Sequence, residues 1–467
     1  MNAACLFFFY IIILGKRGDT ALSETPEPKL IPVWITDCGK EKPFHMKTLT
    51  FHPGETENRV INLYPELCDQ TFEGFGGALT EAAASTYAQM SSSQKRELLT
   101  AYFAPDRMNY QFVRIHIDSC DFCINQYDGY TGSGAPDFTR MEQYILPMLR
   151  DAQELAGRRI PVMLSPWSPP AFMKTNRRRE AGGKLKPEYY GAYADYLCRY
   201  ARHMRDLGFT VTRMSLQNEA KAVQTWDSCI FTAEEEKRFL RDHFYPLLSQ
   251  YGLSDLELYI WDHNKERAYE WMRDIVDETT DPMIAGLCFH WYSGDHFEAL
   301  DLCRRRFPHK KLLLSESCIE YRFYDKDDIL GSTQKLSHEL IGDLNHGMSA
   351  FCDWNLLLDE QGGPNYAGNF CLAPFHFDRT AKELRPTLLQ SYYELFARAI
   401  QPGSVRIAHT RFSEEIDATA WRRPDGTLAL VLLNRTGAEQ AAVVRLDDRE
   451  AEVTLLPYGA DSFLVCP

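Results

Sequence analysis

Two short stretches put a carboxylate where it could do chemistry. Leu216-Gln217-Asn218-Glu219 and Leu314-Ser315-Glu316 each end an apolar, strand-like run on polar groups. Two further runs end in the same way, on His290-Trp291-Tyr292 and on Asp353-Trp354-Asn355. Cleavage of a glycosidic bond needs a carboxylate pair, one to protonate the leaving oxygen and one to attack the sugar carbon or activate water. Aromatic faces and amides that grip hydroxyls complete such a site. An Asn-Glu dipeptide alone is commonly a helix cap or surface turn. Glu316, however, follows the apolar run Leu312-Leu313-Leu314 after Ser315, and an acidic residue closing a buried run is harder to assign to a solvated face. Trp167, Tyr292 and Trp354 are each compatible with plain packing, and His290 with a hydrogen-bonded core histidine.

These residues cooperate only if the fold gathers them. From about Thr71 to Leu358, eight short apolar runs alternate with helical-period stretches: Phe72 to Leu79, Phe112 to Ile117, Ile160 to Trp167, Val211 to Gln217, Leu256 to Trp261, Ile284 to Tyr292, Lys311 to Ser315 and Met348 to Trp354. Between the third and fourth, Tyr193, Tyr196, Leu197, Tyr200, Met204 and Leu207 recur at helical spacing. Alternation of this kind, with no Gly-rich phosphate turn after any strand, predicts an α/β fold of the (β/α)8 TIM-barrel type. The carboxyl ends of its strands would carry the site. After a last long helix, about Pro386 to Ile400, four strand-like pieces follow: Ile416 to Trp421, Leu428 to Leu433, Ala441 to Leu446 and Val453 to Leu456. Pro32 to Ile35 and Val60 to Leu63 are expected to join them in a small β-sandwich-like side domain. The organisation expected is a flexible lead-in over 1–28, N-terminal strands over 29–70, the barrel over 71–395 and the C-terminal β domain over 396–467.

Bulk properties narrow the partners. The chain of 467 residues is 45% hydrophobic and 25% charged, ordinary for a globular protein, and its net charge of −14 disfavours nucleic acid. Thirteen cysteines without regular spacing suggest a reducing compartment, so the expected location is cytoplasmic. Cys120 and Cys123 form a lone CxxC without a second ligand pair, so neither metal nor other cofactor is expected. The apolar run from Phe7 to Leu14 is too short to span a bilayer, and Lys16 and Arg17 follow it rather than precede it, unlike a secretory signal. No stable membrane insertion is expected. The oligomeric state is not legible.

The residues also carry a family resemblance. FEGFGGALTEAAA from Phe72, RIHIDSCDF from Arg114, LSPWSPPAFMKT from Leu164, SLQNEA from Ser215, HWY from His290, LLLSES from Leu312 and DWNLLLDEQGGPNYAGNF from Asp353 occur in order. In these segments the chain resembles glycoside hydrolase family 30, the glucosylceramidase-like enzymes, from about Pro32 to Val465. The resemblance implies a retaining β-glycosidase without a cofactor, with Glu219 as acid/base and Glu316 as nucleophile. It implies that Asp121, Trp167, Asn218 and Trp354 bind hydroxyls of the terminal glucose and that Asn369 lies near the entrance. Tyr292, His290 and Arg114 would orient or anchor Glu316.

Departures from the family pattern bear on the leaving group. Ala220 replaces the usual proline after Asn-Glu, Cys123 a serine, and Tyr366 a tryptophan in the entrance loop. Arg177, Arg178 and Arg179 read most simply as a solvated charge run, and alternatively as a contact for an anionic aglycone or lipid surface. The expected substrate is a small β-glucoside or a glucosylated lipid, hydrolysed in exo fashion, which would place the protein in sphingolipid or carbohydrate metabolism. The alternatives are the same chemistry on β-xylosides or β-1,6-glucan, a sugar-binding barrel without turnover, and a metal-dependent barrel enzyme.

Overall fold

The computed structural model describes residues 29–36, 44–45 and 49–466. The apolar run from Phe7 to Leu14 lies outside them. Eight parallel strands close into a barrel: Gly74–Ala78, Phe112–Ile117, Pro161–Pro166, Thr210–Ser215, Glu257–Asn264, Gly286–His290, Lys311–Glu316 and Ala350–Asp353. Each falls on one of the eight apolar runs read from the sequence. The interior is filled by Phe112, Met163, Tyr259, Cys288, Leu313, Ala350 and Cys352, a packed core rather than a pore. Gly76 makes room for it, since a Cβ there would stand 2.7 Å from the Phe112 ring. The helix Tyr190–Asp206 buries Tyr193, Tyr196, Leu197, Tyr200 and Met204 along one face, as their spacing requires.

The fifth strand departs from regular pairing. Its register shifts between Trp261 and His263, and Trp261 and Asp262 have φ of 75° and 49°, in the left-handed region. Bulges of this kind beside active sites re-aim side chains. Beyond the distortion, His263 and Asn264 line the carboxyl-end cavity, and Asp262 is buried behind it.

The chain's two ends meet in a second, mixed sheet of eleven strands among the described residues. Lys29–Thr36 pairs antiparallel with Ala460–Cys466. Val60–Thr71 pairs antiparallel with Val405–His409 and parallel with Gln440–Leu446. The sheet curls around its own apolar core, which includes Ile61, Leu63, Ile407, Leu430, Val444 and Phe463. Its other face joins the barrel core through Trp421, 5.8 Å from the Phe72 ring, and through the helix Leu388–Ala399. Among the described residues no helix is long and apolar enough to cross a membrane.

Candidate active site

At the carboxyl end of the barrel lies a cavity of about 160 Å³. Eight of the residues singled out from the sequence line it: Asp121, Trp167, Asn218, Glu219, Tyr292, Glu316, Trp354 and Asn369. Arg114 and His290 stand behind them, fully buried.

Arg114 organises the floor. It rises from the second strand, and its five N–H groups make five hydrogen bonds. Nε donates to Ser165 Oγ at 3.0 Å, Nη1 to Glu316 Oε2 at 2.8 Å and to the Ser315 carbonyl at 3.2 Å, and Nη2 to Asn218 Oδ1 at 2.7 Å and Asp262 Oδ2 at 2.9 Å. A planar guanidinium is the side chain that satisfies so many acceptors at fixed angles. The Trp167 and Trp354 rings, stacked on each other at 5.3 Å, cover it at 4.8 and 5.3 Å. The two tryptophans therefore do both jobs weighed from the sequence: they pack over the cation and line the cavity.

Glu316 ends the seventh strand and is held on both oxygens, by Arg114 on Oε2 and by the Tyr292 hydroxyl on Oε1 at 2.9 Å. Glu219 follows the fourth strand with φ of 49°, its backbone N–H donating to the Asp262 carbonyl at 2.8 Å. Its Oε1 faces two histidines, His290 Nδ1 at 3.4 Å and His263 Nδ1 at 3.6 Å. His290 therefore lies nearer Glu219 than Glu316, whose Oε2 is 3.9 Å from Nε2. The same Nε2 meets Asp262 Oδ1 at 3.2 Å.

The charges balance around this floor. Burial opposes charge on Asp262, but Arg114 and His290 hold its carboxyl well below the usual range. Burial likewise opposes a cationic His290, yet Glu316, Asp262 and Glu219 push it up to about 9. Burial raises Glu316, with His290 and Arg114 opposing and the like charge of Glu219 adding to the rise. Glu219 is lowered despite its burial, by the hydrogen bond from His290 and the nearness of His263. The two carboxylates titrate as a pair, and simultaneous ionisation is disfavoured. Asp121 is raised well above the usual range by burial and Glu316, and accepts a hydrogen bond from Asn365 at 3.0 Å.

Sequence reading missed Asp262, His263 and Asn264, although they end a strand it had identified; the rule that drew attention to the other strand ends would have found them. It also missed Gln224, Trp226, Cys318, Glu320, Arg322 and Phe323, which line the cavity from loops. Asn369 donates to Glu320 at 3.2 Å. The arginine run needs correction. Arg178 is exposed and pairs with Glu180, but Arg179 is buried and paired with Asp227 at 2.5 Å and Asp118 at 3.7 Å. It braces the loop from within. Tyr366 does not line the cavity; its hydroxyl donates to Asp227 at 2.8 Å.

Comparison with known proteins agrees with the fold. Residues 72–416 match the glycosyl hydrolase family 30 TIM-barrel domain and residues 403–463 the family 30 beta sandwich domain. The chain is 27% identical over 431 residues to lysosomal acid glucosylceramidase of Mus musculus, covering 87% of this chain and 83% of that protein. It is 22% identical over 408 residues to endo-1,6-beta-D-glucanase neg1 of Aspergillus fumigatus, covering 81% of each. The crystal structure of SrfJ from Salmonella typhimurium superposes with a TM-score of 0.89 at 34% identity, covering 94% of this chain and 99% of that one.

Proposed function

The chain belongs to glycosyl hydrolase family 30, and from that premise we propose that it removes a terminal β-glucosyl unit with retention, Glu316 acting as nucleophile and Glu219 as acid/base. The observation that carries the reading is the arrangement of Glu316. One oxygen is held by Arg114 and the other by Tyr292, while the side chain faces the cavity that Glu219 also lines. A Glu316 oxygen bonds to the anomeric carbon as the bond to the leaving oxygen breaks, and Glu219 gives that oxygen a proton. Water, giving a proton back to Glu219, then attacks the same carbon and releases Glu316. His290 Nδ1, 3.4 Å from Glu219 Oε1, can resupply the proton for the first step, so Glu219 can deliver it although its carboxyl is held low in the resting site. Asp121, Trp167, Asn218 and Trp354 grip the sugar, and Asn369 stands at its entrance.

The cavity of about 160 Å³ is smaller than the roughly 300–1,000 Å³ usual for drug-sized ligands, which favours one sugar ring and exo action. The preferred substrate is an alkyl, aryl or ceramide β-glucoside, in line with the glucosylceramidase relative. A second reading, β-1,6-linked glucan, is favoured by the polar rim of Gln224, Asn264, Glu320 and Arg322, which could hold a sugar leaving group. The acidic surface suits a neutral substrate over nucleic acid. The ten cysteines whose side chains are described are free thiols, which supports a reducing, cytoplasmic setting. Specificity constants for aryl β-glucosides, glucosylceramide, gentiobiose and aryl β-xylosides decide the substrate. Trapping with a 2-deoxy-2-fluoro β-glucoside and peptide mass spectrometry decides the nucleophile. Labelling of a residue other than Glu316, or α-glucose as first product, refutes the mechanism.

A further inference from the structure

We infer that Glu219, His263 and His290 form a site for a zinc ion at the edge of the cavity, and that its occupation stops turnover by engaging the carboxylate assigned above as acid/base. The inhibitory half rests on that assignment; the binding half does not. Three observations carry it. First, the Nδ1 atoms of His290 and His263 face the same oxygen, Glu219 Oε1, at 3.4 and 3.6 Å. The first is a long hydrogen bond and the second is beyond hydrogen-bond reach, the usual range ending near 3.2 Å. Tetrahedral zinc with bonds of about 2.0–2.2 Å sets neighbouring ligand atoms roughly 3.3–3.6 Å apart. The ligand atoms of all three residues lie within 4.8 Å of one another.

Second, His263 Nδ1 is buried and has no hydrogen-bond partner, so a donor atom aimed at the cluster is unspent. Third, His290 turns its other nitrogen to Asp262 Oδ1 at 3.2 Å. A carboxylate behind a histidine in this way fixes the ring and strengthens the ligand atom in front. Two imidazoles and a carboxylate make a donor set that suits zinc. Glu219 and His263 line the cavity, so an ion arriving from solvent meets them directly. Bound zinc takes the lone pair of Glu219 that must receive or deliver the proton, and sugar and ion compete for one space.

A second cluster, His116, Cys120 and Cys123, is also close enough to hold an ion. Both of its ring nitrogens are engaged, Nε2 by the Glu81 N–H at 3.1 Å and Nδ1 by the Asp118 carbonyl at 2.5 Å. Its sulfurs would announce themselves by thiolate-to-metal charge transfer, which separates the two sites in an experiment.

The test is titration of the whole reduced, metal-free chain with Co²⁺ and Zn²⁺, alongside His263→Phe, His263→Asp and Glu219→Gln, each first shown to melt cooperatively. The expected wild-type result is one ion per chain, with cobalt d–d bands of nitrogen and oxygen ligation and no thiolate band. His263→Phe should weaken binding beyond the roughly 10–100-fold that loss of an outer-shell partner brings. His263→Asp, which keeps a ligand atom, should recover most of it. Zinc should inhibit an aryl β-glucoside competitively, and EDTA should reverse this. Equal binding in His263→Phe, or a cobalt spectrum dominated by thiolate, overturns the site. Zinc that needs His263 to bind yet leaves turnover intact keeps the site and overturns the acid/base assignment instead.

Discussion

Tyr292 donates its hydroxyl hydrogen to Glu316 Oε1 at 2.9 Å, from the end of the strand next to the one that carries the carboxylate. The bond fixes the rotation of the carboxyl group and leaves Arg114 to bind the other oxygen. A hydrogen bond to a charged group contributes about 1.5–3 kcal/mol. Tyr292→Phe should therefore lower kcat by roughly ten- to hundredfold, since each 1.36 kcal/mol is a factor of ten. Binding of a glucose-like inhibitor should change far less. Unchanged kcat with a raised KM would show that Tyr292 holds substrate rather than Glu316.

Arg114 should matter to stability as much as to rate. It is fully buried with Asp262 beside it at 2.9 Å, so Arg114→Ala would leave Asp262 and Glu316 with only His290 to offset their charges. Removing one partner of a buried ion pair typically costs 3–5 kcal/mol. Urea denaturation should show a loss of about that size. Arg114→Lys, with three donors for five acceptors, should fall between. A loss below about 1 kcal/mol would mean that water enters and replaces the guanidinium.

What was legible in the sequence follows from how local each signal is. Glu316 could be found because it ends a run of three leucines, and Glu219 because Asn218 and Gln217 precede it at a strand's end. Asp262 and His263 were missed because the apolar run stops at Trp261, whereas the strand continues through a register shift to Asn264. Val405–His409 was missed because it is half buried and twice irregular against Val60–Thr71. The last strand, Ala460–Cys466, escaped notice because it carries the buried polar residues Asp461 and Ser462 near its start. Arg179 was misread because its partner Asp227 is 48 residues away, and nothing in a run of arginines reveals an opposing carboxylate.

Glu236 supplies a pH test independent of catalysis. Burial raises its carboxyl to about 7, although the Trp271 ring N–H and the Trp261 backbone N–H donate to it. An ordinary glutamate titrates near 4.3 in the unfolded chain. The folded state thus holds the proton more tightly, and stability should fall as pH rises from about 4.3 through about 7. Glu236→Gln removes this titration. Relative to wild type it should gain with rising pH, by up to roughly 3.5 kcal/mol at pH 8. Parallel stability–pH curves for the two proteins would mean that Glu236 stays ionised in the fold.

Glu219 is tested by separating proton transfer from bond cleavage. If it protonates the leaving oxygen, Glu219→Ala should be slow on substrates with poor leaving groups and much less affected on dinitrophenyl glucosides, which depart without a proton. The rate of the wild type should follow a bell in pH, its alkaline limb reporting loss of the proton that Glu219 must deliver. In Glu219→Ala that limb should flatten, because the group it reports no longer acts. Glu316, still held by Arg114 and Tyr292, should keep forming the glucosyl-enzyme. Azide, small enough for the vacated space and in need of no base, should then attack the intermediate and give β-glucosyl azide. A variant that loses activity equally on all leaving groups, keeps its alkaline limb and yields no azide product would move the acid/base role to another carboxylate. Glu320, which lines the same cavity, would be the first to try.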